Sequence, residues 1–101
     1  MLTGLETKIL VIEHDQDFLN IAHEKLSARG FTVFAVQTAE EAILILKREI
    51  VEAVLIDFYS SNSNCVMISD YINDMKKKPI LLSLQNQAKN EEGQKSASLL
   101  Y

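Results

Sequence analysis

The sequence predicts an α/β domain, a parallel sheet with helices on both faces, built from one chain of 101 residues. Three observations carry that prediction. Two short apolar runs, Lys8-Ile9-Leu10-Val11-Ile12 and Ala53-Val54-Leu55-Ile56, show the continuous hydrophobicity of strands buried on both faces, and Ile80-Leu81-Leu82-Ser83-Leu84 reads as a further strand. Between them lie stretches with apolar residues at helical spacing, so strand and helix alternate along the chain. Two of the runs also end in acid, at Glu13-His14-Asp15 and at Asp57. Carboxyl ends of strands are where open α/β sheets place their ligand sites.

Each element follows from local chemistry. Residues 1–7 are a mixed lead-in, and the first strand spans 8–12. Asp15 or Asp17 can cap the helix expected over 17–29, whose stripe is Phe18, Ala22 and Leu26. Gly30 is its stop signal, able to adopt the left-handed backbone. The aromatic and β-branched run 31–36 reads as the second strand, with Phe31, Val33 and Ala35 on one face. Thr38 with Glu41 three residues on has capping-box spacing, opening a helix to Arg48 with Ala42, Ile43 and Leu46 inward. The third strand, 53–56, runs into Asp57, and a polar loop spans 60–64. A helix over 65–77 presents Ile68, Ile72 and Met75, with Lys76-Lys77-Lys78 at its end favoured by the helix dipole. Pro79 stops it, and 80–84 forms the fourth strand. Crossovers must be right-handed, which leaves few topologies. If the first strand is central, the two acid-tipped strands are neighbours and their carboxyl ends converge.

The remaining residues, 85–101, form a polar tail rich in Gln, Asn, Lys, Glu and Ser, with one apolar cluster at Leu99-Leu100-Tyr101. A weak helix over 90–99 would be interrupted by Gly93. No fifth strand of ordinary quality is visible, so the expected organisation is a domain over 1–84 followed by this tail.

Composition narrows the function classes. A net charge of -4 argues against a nucleic-acid surface, which needs clustered Lys and Arg. One cysteine excludes an internal disulfide and suits a reducing compartment. Residues 1–7 lack the pattern of a secretory signal, and no apolar run is long enough to span a bilayer. The expectation is a cytoplasmic protein that binds neither nucleic acid nor membrane.

Taken together, Lys8-Ile9-Leu10-Val11-Ile12-Glu13-His14-Asp15, Gly30-Phe31-Thr32-Val33, Thr38-Ala39-Glu40-Glu41-Ala42, Ala53-Val54-Leu55-Ile56-Asp57 and Pro79-Ile80-Leu81-Leu82 resemble the receiver domain of bacterial two-component response regulators. The resemblance covers residues 8–84, with the motifs in the family's order. It implies a flavodoxin-like, doubly wound parallel sheet, here of order 2-1-3-4 with the fifth strand missing or irregular. It further implies that Asp57 is the phosphoacceptor and that Glu13 and His14 stand where an acidic pair holds Mg²⁺. The hydroxyl that contacts the phosphoryl group falls at Ser83 or, in the simplest alignment, at the position of Leu84. The implied partner is a histidine kinase or phosphotransfer protein.

The sequence departs from that pattern in ways that bear on chemistry. His14 replaces the second acid, and imidazole is a poor ligand for a hard, oxygen-seeking cation. Ser61 stands where the family has proline and Cys65 where it has glycine, and no Lys-bearing fifth strand follows. Residues near the site also have ordinary readings. Asp57 can simply end a strand, His14 can be a half-exposed polar residue or a pH-responsive one, Tyr59 can be a surface aromatic, and His23 reads as solvent-facing. Cys65 reads as a buried, inert thiol.

The leading expectation is therefore a receiver-like signalling module and not an enzyme, since no nucleophile–base pair or glycine-rich phosphate loop is present. The alternatives are a pseudo-receiver that docks partners without phosphorylation, and a truncated piece of a longer regulator. The fourth strand, apolar and at the sheet's edge, is expected to favour self-association or a partner over coverage by the tail.

Overall fold

The computed structural model describes residues 7–56 and 64–83. In chain order the elements are β1 (Lys8–Ile12), α1 (Gln16–Ala28), β2 (Thr32–Val36), α2 (Ala39–Arg48), β3 (Ala53–Ile56), α3 (Asn64–Asn73) and β4 (Ile80–Ser83). The strands form one all-parallel sheet of order β2-β1-β3-β4. This is the doubly wound α/β arrangement expected from the alternation of strand and helix, and β1 is indeed interior.

Register explains how two cores form. Ile12 lies beside Val36 on one flank and beside Ile56 on the other, and Ile56 lies beside Ser83. Since side chains alternate across a strand, Ile9, Val11 and Leu55 share one face and pack against Phe18, Leu19, Ala22 and Leu26 of α1. Leu10, Ile12, Val54 and Ile56 share the other face with Ala39, Ala42 and Leu46 of α2 and Ile68 and Ile72 of α3. The continuous apolar runs of β1 and β3 are thus required by burial on both sides. The edge strand β2 is only half-buried, with Thr32 and Ala35 exposed; Ala35 shares the α1-side face of Phe31 and Val33 but is not covered there.

Helix boundaries follow their caps. The Asp15 carboxylate accepts from the Asp17 and Phe18 N–H groups at 3.0 and 3.3 Å, so Asp15 and not Asp17 starts α1. Gly30 closes that helix with φ 97°, a backbone conformation that side chains with a β-carbon resist. Thr38 and Glu41 form the reciprocal capping box of α2.

The end of α3 differs most from the sequence reading. α3 ends at Asn73, earlier than the 65–77 expected, and the Asp74 and Met75 N–H groups bond back to Tyr71 and Ile72 carbonyls three residues away. That tighter turn ends the helix before the lysines, so Lys76-Lys77-Lys78 lie beyond it and not in its last turn. A residue before proline disfavours helical backbone, which helps to keep Lys78 out of the helix; its Nζ instead donates to the Met75 carbonyl at 3.1 Å. Met75 still packs on the α2–α3 core, as its place in the stripe predicts.

At the sheet's amino edge, charge is neutralised locally. Lys8 Nζ meets Glu49 Oε1 at 2.9 Å, and the Lys8 N–H donates to Glu52 Oε1 at 2.8 Å. This ties β1 to the loop between α2 and β3 at the end opposite the acid-tipped strand ends.

Candidate functional site

The carboxyl edge of the sheet is built around Glu13. One residue past the end of β1, its N–H continues the ladder by donating to the Val36 carbonyl at 3.0 Å. Its side chain is only 1% exposed, on a residue type that is almost never fully buried without partners. Oε2 accepts the Asp15 N–H at 3.1 Å, and His14 Nδ1 lies 3.5 Å from the same oxygen. The carboxylate is therefore held against the turn that begins α1, while the His14 ring, 66% exposed, sits on the solvent side.

The neighbouring turn is fastened to this one by a residue that the sequence reading did not single out. Gln37, immediately after β2, donates from Nε2 to the His14 carbonyl at 2.9 Å. Its own N–H donates to Glu41 Oε1 at 3.1 Å, the carboxylate that also serves the capping box of α2. Gln37 thus links the β1–α1 turn to the start of α2 and holds the His14 backbone in place. A signal was available: Gln37 follows its strand directly, at the same sheet edge as the residues after β1.

Of the site residues expected from sequence, Glu13, His14 and Ser83 fall within the described residues, and Asp57 does not. Asp57 follows Ile56 in the chain, and Ile56 is paired with Ile12, the residue before Glu13. Tyr59, Ser61 and Leu84, together with the tail 85–101, also lie outside the described residues. Ser83 is exposed and level with Ile12 and Ile56, one residue short of the level of Glu13. By strand alternation it belongs to the face of Leu81, toward α2 and α3. His23 is exposed on α1 as its position predicts, whereas Cys65 is only half-buried against the α2–α3 core, less enclosed than the buried thiol expected.

The donor chemistry present at this edge does not by itself suit Mg²⁺. A small hard cation needs several oxygen donors. Among the described residues no group of three or more His, Cys, Asp and Glu side chains is arranged to hold a metal. Glu13 presents one carboxylate with Oε2 already accepting a backbone N–H, His14 presents nitrogen, and Asp15 Oδ1 is engaged in capping α1. Further oxygen donors would have to be supplied in addition to these described side chains.

A 430 Å³ cavity lies away from this edge, lined by the end of α2, the loop 49–52 and residues Met75, Lys77 and Lys78. Glu49 and Glu52 on its wall are engaged with Lys8, as described above. Among the described residues, no helix is long and apolar enough to cross a membrane. Comparison of the whole chain with known proteins finds no protein-family model and no curated protein that matches it.

Proposed function

We propose that this chain is a receiver-like signalling module in which Asp57 accepts a phosphoryl group from a histidine kinase or phosphotransfer protein. The observation that carries the reading is the buried carboxylate of Glu13 at the end of the central strand β1, directly beside the strand whose next residue is Asp57. Doubly wound sheets bind ligands outside the carboxyl ends of such strands. In the proposed reaction an Asp57 carboxylate oxygen forms a bond to phosphorus. The bond from phosphorus to the donor breaks, and the donor leaves with that electron pair. The cytoplasm, where such kinases present their phosphohistidines, is the proposed compartment.

The test is incubation with acetyl phosphate, with and without Mg²⁺, followed by intact mass. The reading expects the mass of one added phosphoryl group, released by mild base and absent from Asp57→Asn. No added mass under any of these conditions, on a folded chain, overturns it.

A second reading is favoured by one specific observation. His14 occupies the position of the expected second acid and turns its ring to solvent. On that reading the fold is a docking module whose partners bind independently of Asp57. A partner that binds the parent and Asp57→Asn equally well, with no phosphoryl mass on the parent, selects it.

A further inference from the structure

The edge of the sheet formed by β4 has a geometry that the signalling reading does not use. Ile80 and Leu82 are 64% and 45% exposed. By register they belong to the sheet face that carries Ala53 and Leu55, the face on which α1 packs. The partners of α1 there come from β1, β2 and β3, and among the described residues no helix covers β4 on that side. β4 is also the last strand of the sheet as described, so its outer edge has no neighbour among those residues.

The directions of its backbone groups are set. The Ile80 N–H donates toward β3, to the Glu52 carbonyl at 2.9 Å. Alternation then turns the Leu82 groups toward β3 as well, and the N–H and C=O of Leu81 and Ser83 outward.

We propose that β4 pairs with β4 of a second copy of this chain, antiparallel, about a twofold axis through Leu81. Three observations select this occupant and this register. First, the Ile80–Ser83 edge carries no charge of its own and is preceded on one side by Lys76-Lys77-Lys78. Antiparallel pairing puts the two lysine runs at opposite ends, whereas parallel pairing sets them side by side. Second, residues opposite one another in an antiparallel pair point to the same face, so the pleat forbids any register that sets Leu81 against Leu82. An axis through Leu81 sets Ile80 against Leu82 on the bare face and Leu81 against Leu81 on the other, apolar to apolar on both. It also makes Leu81 the hydrogen-bonded pair that its outward N–H and C=O require. Third, residues 85–98 are polar apart from Ala88, Gly93 and Ala97, so that stretch offers no apolar β-run to pair with this edge.

The pairing is isologous and closes as a dimer. The strand has only four residues, so the area buried is small, below the roughly 1,200 Å² at which stable interfaces begin. Association is therefore weak and reversible, in the micromolar range or above.

The test combines sedimentation with cross-linking of the full chain. The sedimentation coefficient of the parent should rise with concentration into the high micromolar range, while Leu82→Lys, with unchanged circular dichroism, stays monomeric. In a Cys65→Ala background, Leu81→Cys should form an intermolecular disulfide under mild oxidation. The Cα separation of a hydrogen-bonded antiparallel pair, about 5.5 Å, matches that of disulfides. Leu82→Cys, and Ser27→Cys as a surface control, should cross-link far more slowly. A parent that stays monomeric at every concentration overturns the proposal, whether the edge is covered by residues 84–101 or left bare. So does cross-linking at position 81 no faster than at Ser27, a readout that holds even if Leu82→Lys fails to fold.

Discussion

Single residues decide what the carboxyl edge can do. Glu13 is buried with its carboxylate against the Asp15 N–H, and His14 lies beside it with the ring in water. Replacing His14 by Asp adds an oxygen donor to the edge but sets like charges together, so metal affinity and metal-free stability should move in opposite directions. His14→Asp is expected to bind Mg²⁺ several-fold more tightly than the parent by titration and to melt lower without the ion. Equal affinity in the two proteins would remove His14 from the site. Gly30 offers a cleaner case, because a β-carbon built there meets nothing within 4 Å while φ stands at 97°. Gly30→Ala should therefore cost about 1 kcal/mol through backbone conformation alone, read from the denaturation midpoint. A loss of several times that size would point to a contact that the geometry does not contain.

Among the elements, those with chemical punctuation were legible in the sequence. The capping box of α2 was visible as Thr38 and Glu41, and the structure forms both of its hydrogen bonds. Thr38→Ala should accordingly lower stability by about 1 kcal/mol, measured by urea unfolding. The same measurement on Glu40→Ala, which lies outside the capping box, should show a smaller change. α3 was less legible. Its apolar stripe runs on through Met75, but the backbone leaves the helix at Asn73, and Met75 reaches the core from outside it. Periodicity reports which side chains are buried and not whether the backbone between them stays helical. The β1–α1 turn was half legible for a similar reason. Its acids were evident, but the Gln37 bond to the His14 carbonyl joins residues far apart in the chain. Local pattern carries no information about such a bond.

Across the whole molecule, the sheet order follows from the sequence because both interior strands had to be apolar on both faces and their crossovers right-handed. The two cores meet at β1 and β3, and Ile68, fully buried, carries α3 onto the sheet. Ile68→Ala should destabilise the fold by roughly 2–5 kcal/mol, enough to lose much of the stability of a domain this small. The sheet also brings the end of β1 beside the end of β3, and on that adjacency the proposed phosphoacceptor site depends. The most direct measurement is an amide spectrum recorded while beryllofluoride, a tetrahedral phosphoryl mimic, is titrated in with Mg²⁺. Saturable shifts centred on Glu13, His14, Asp15, Gln37 and the residues following Ile56, abolished in Asp57→Asn, are predicted. A spectrum that stays unchanged at saturating beryllofluoride, or whose shifts survive Asp57→Asn, would contradict a phosphoacceptor at this edge.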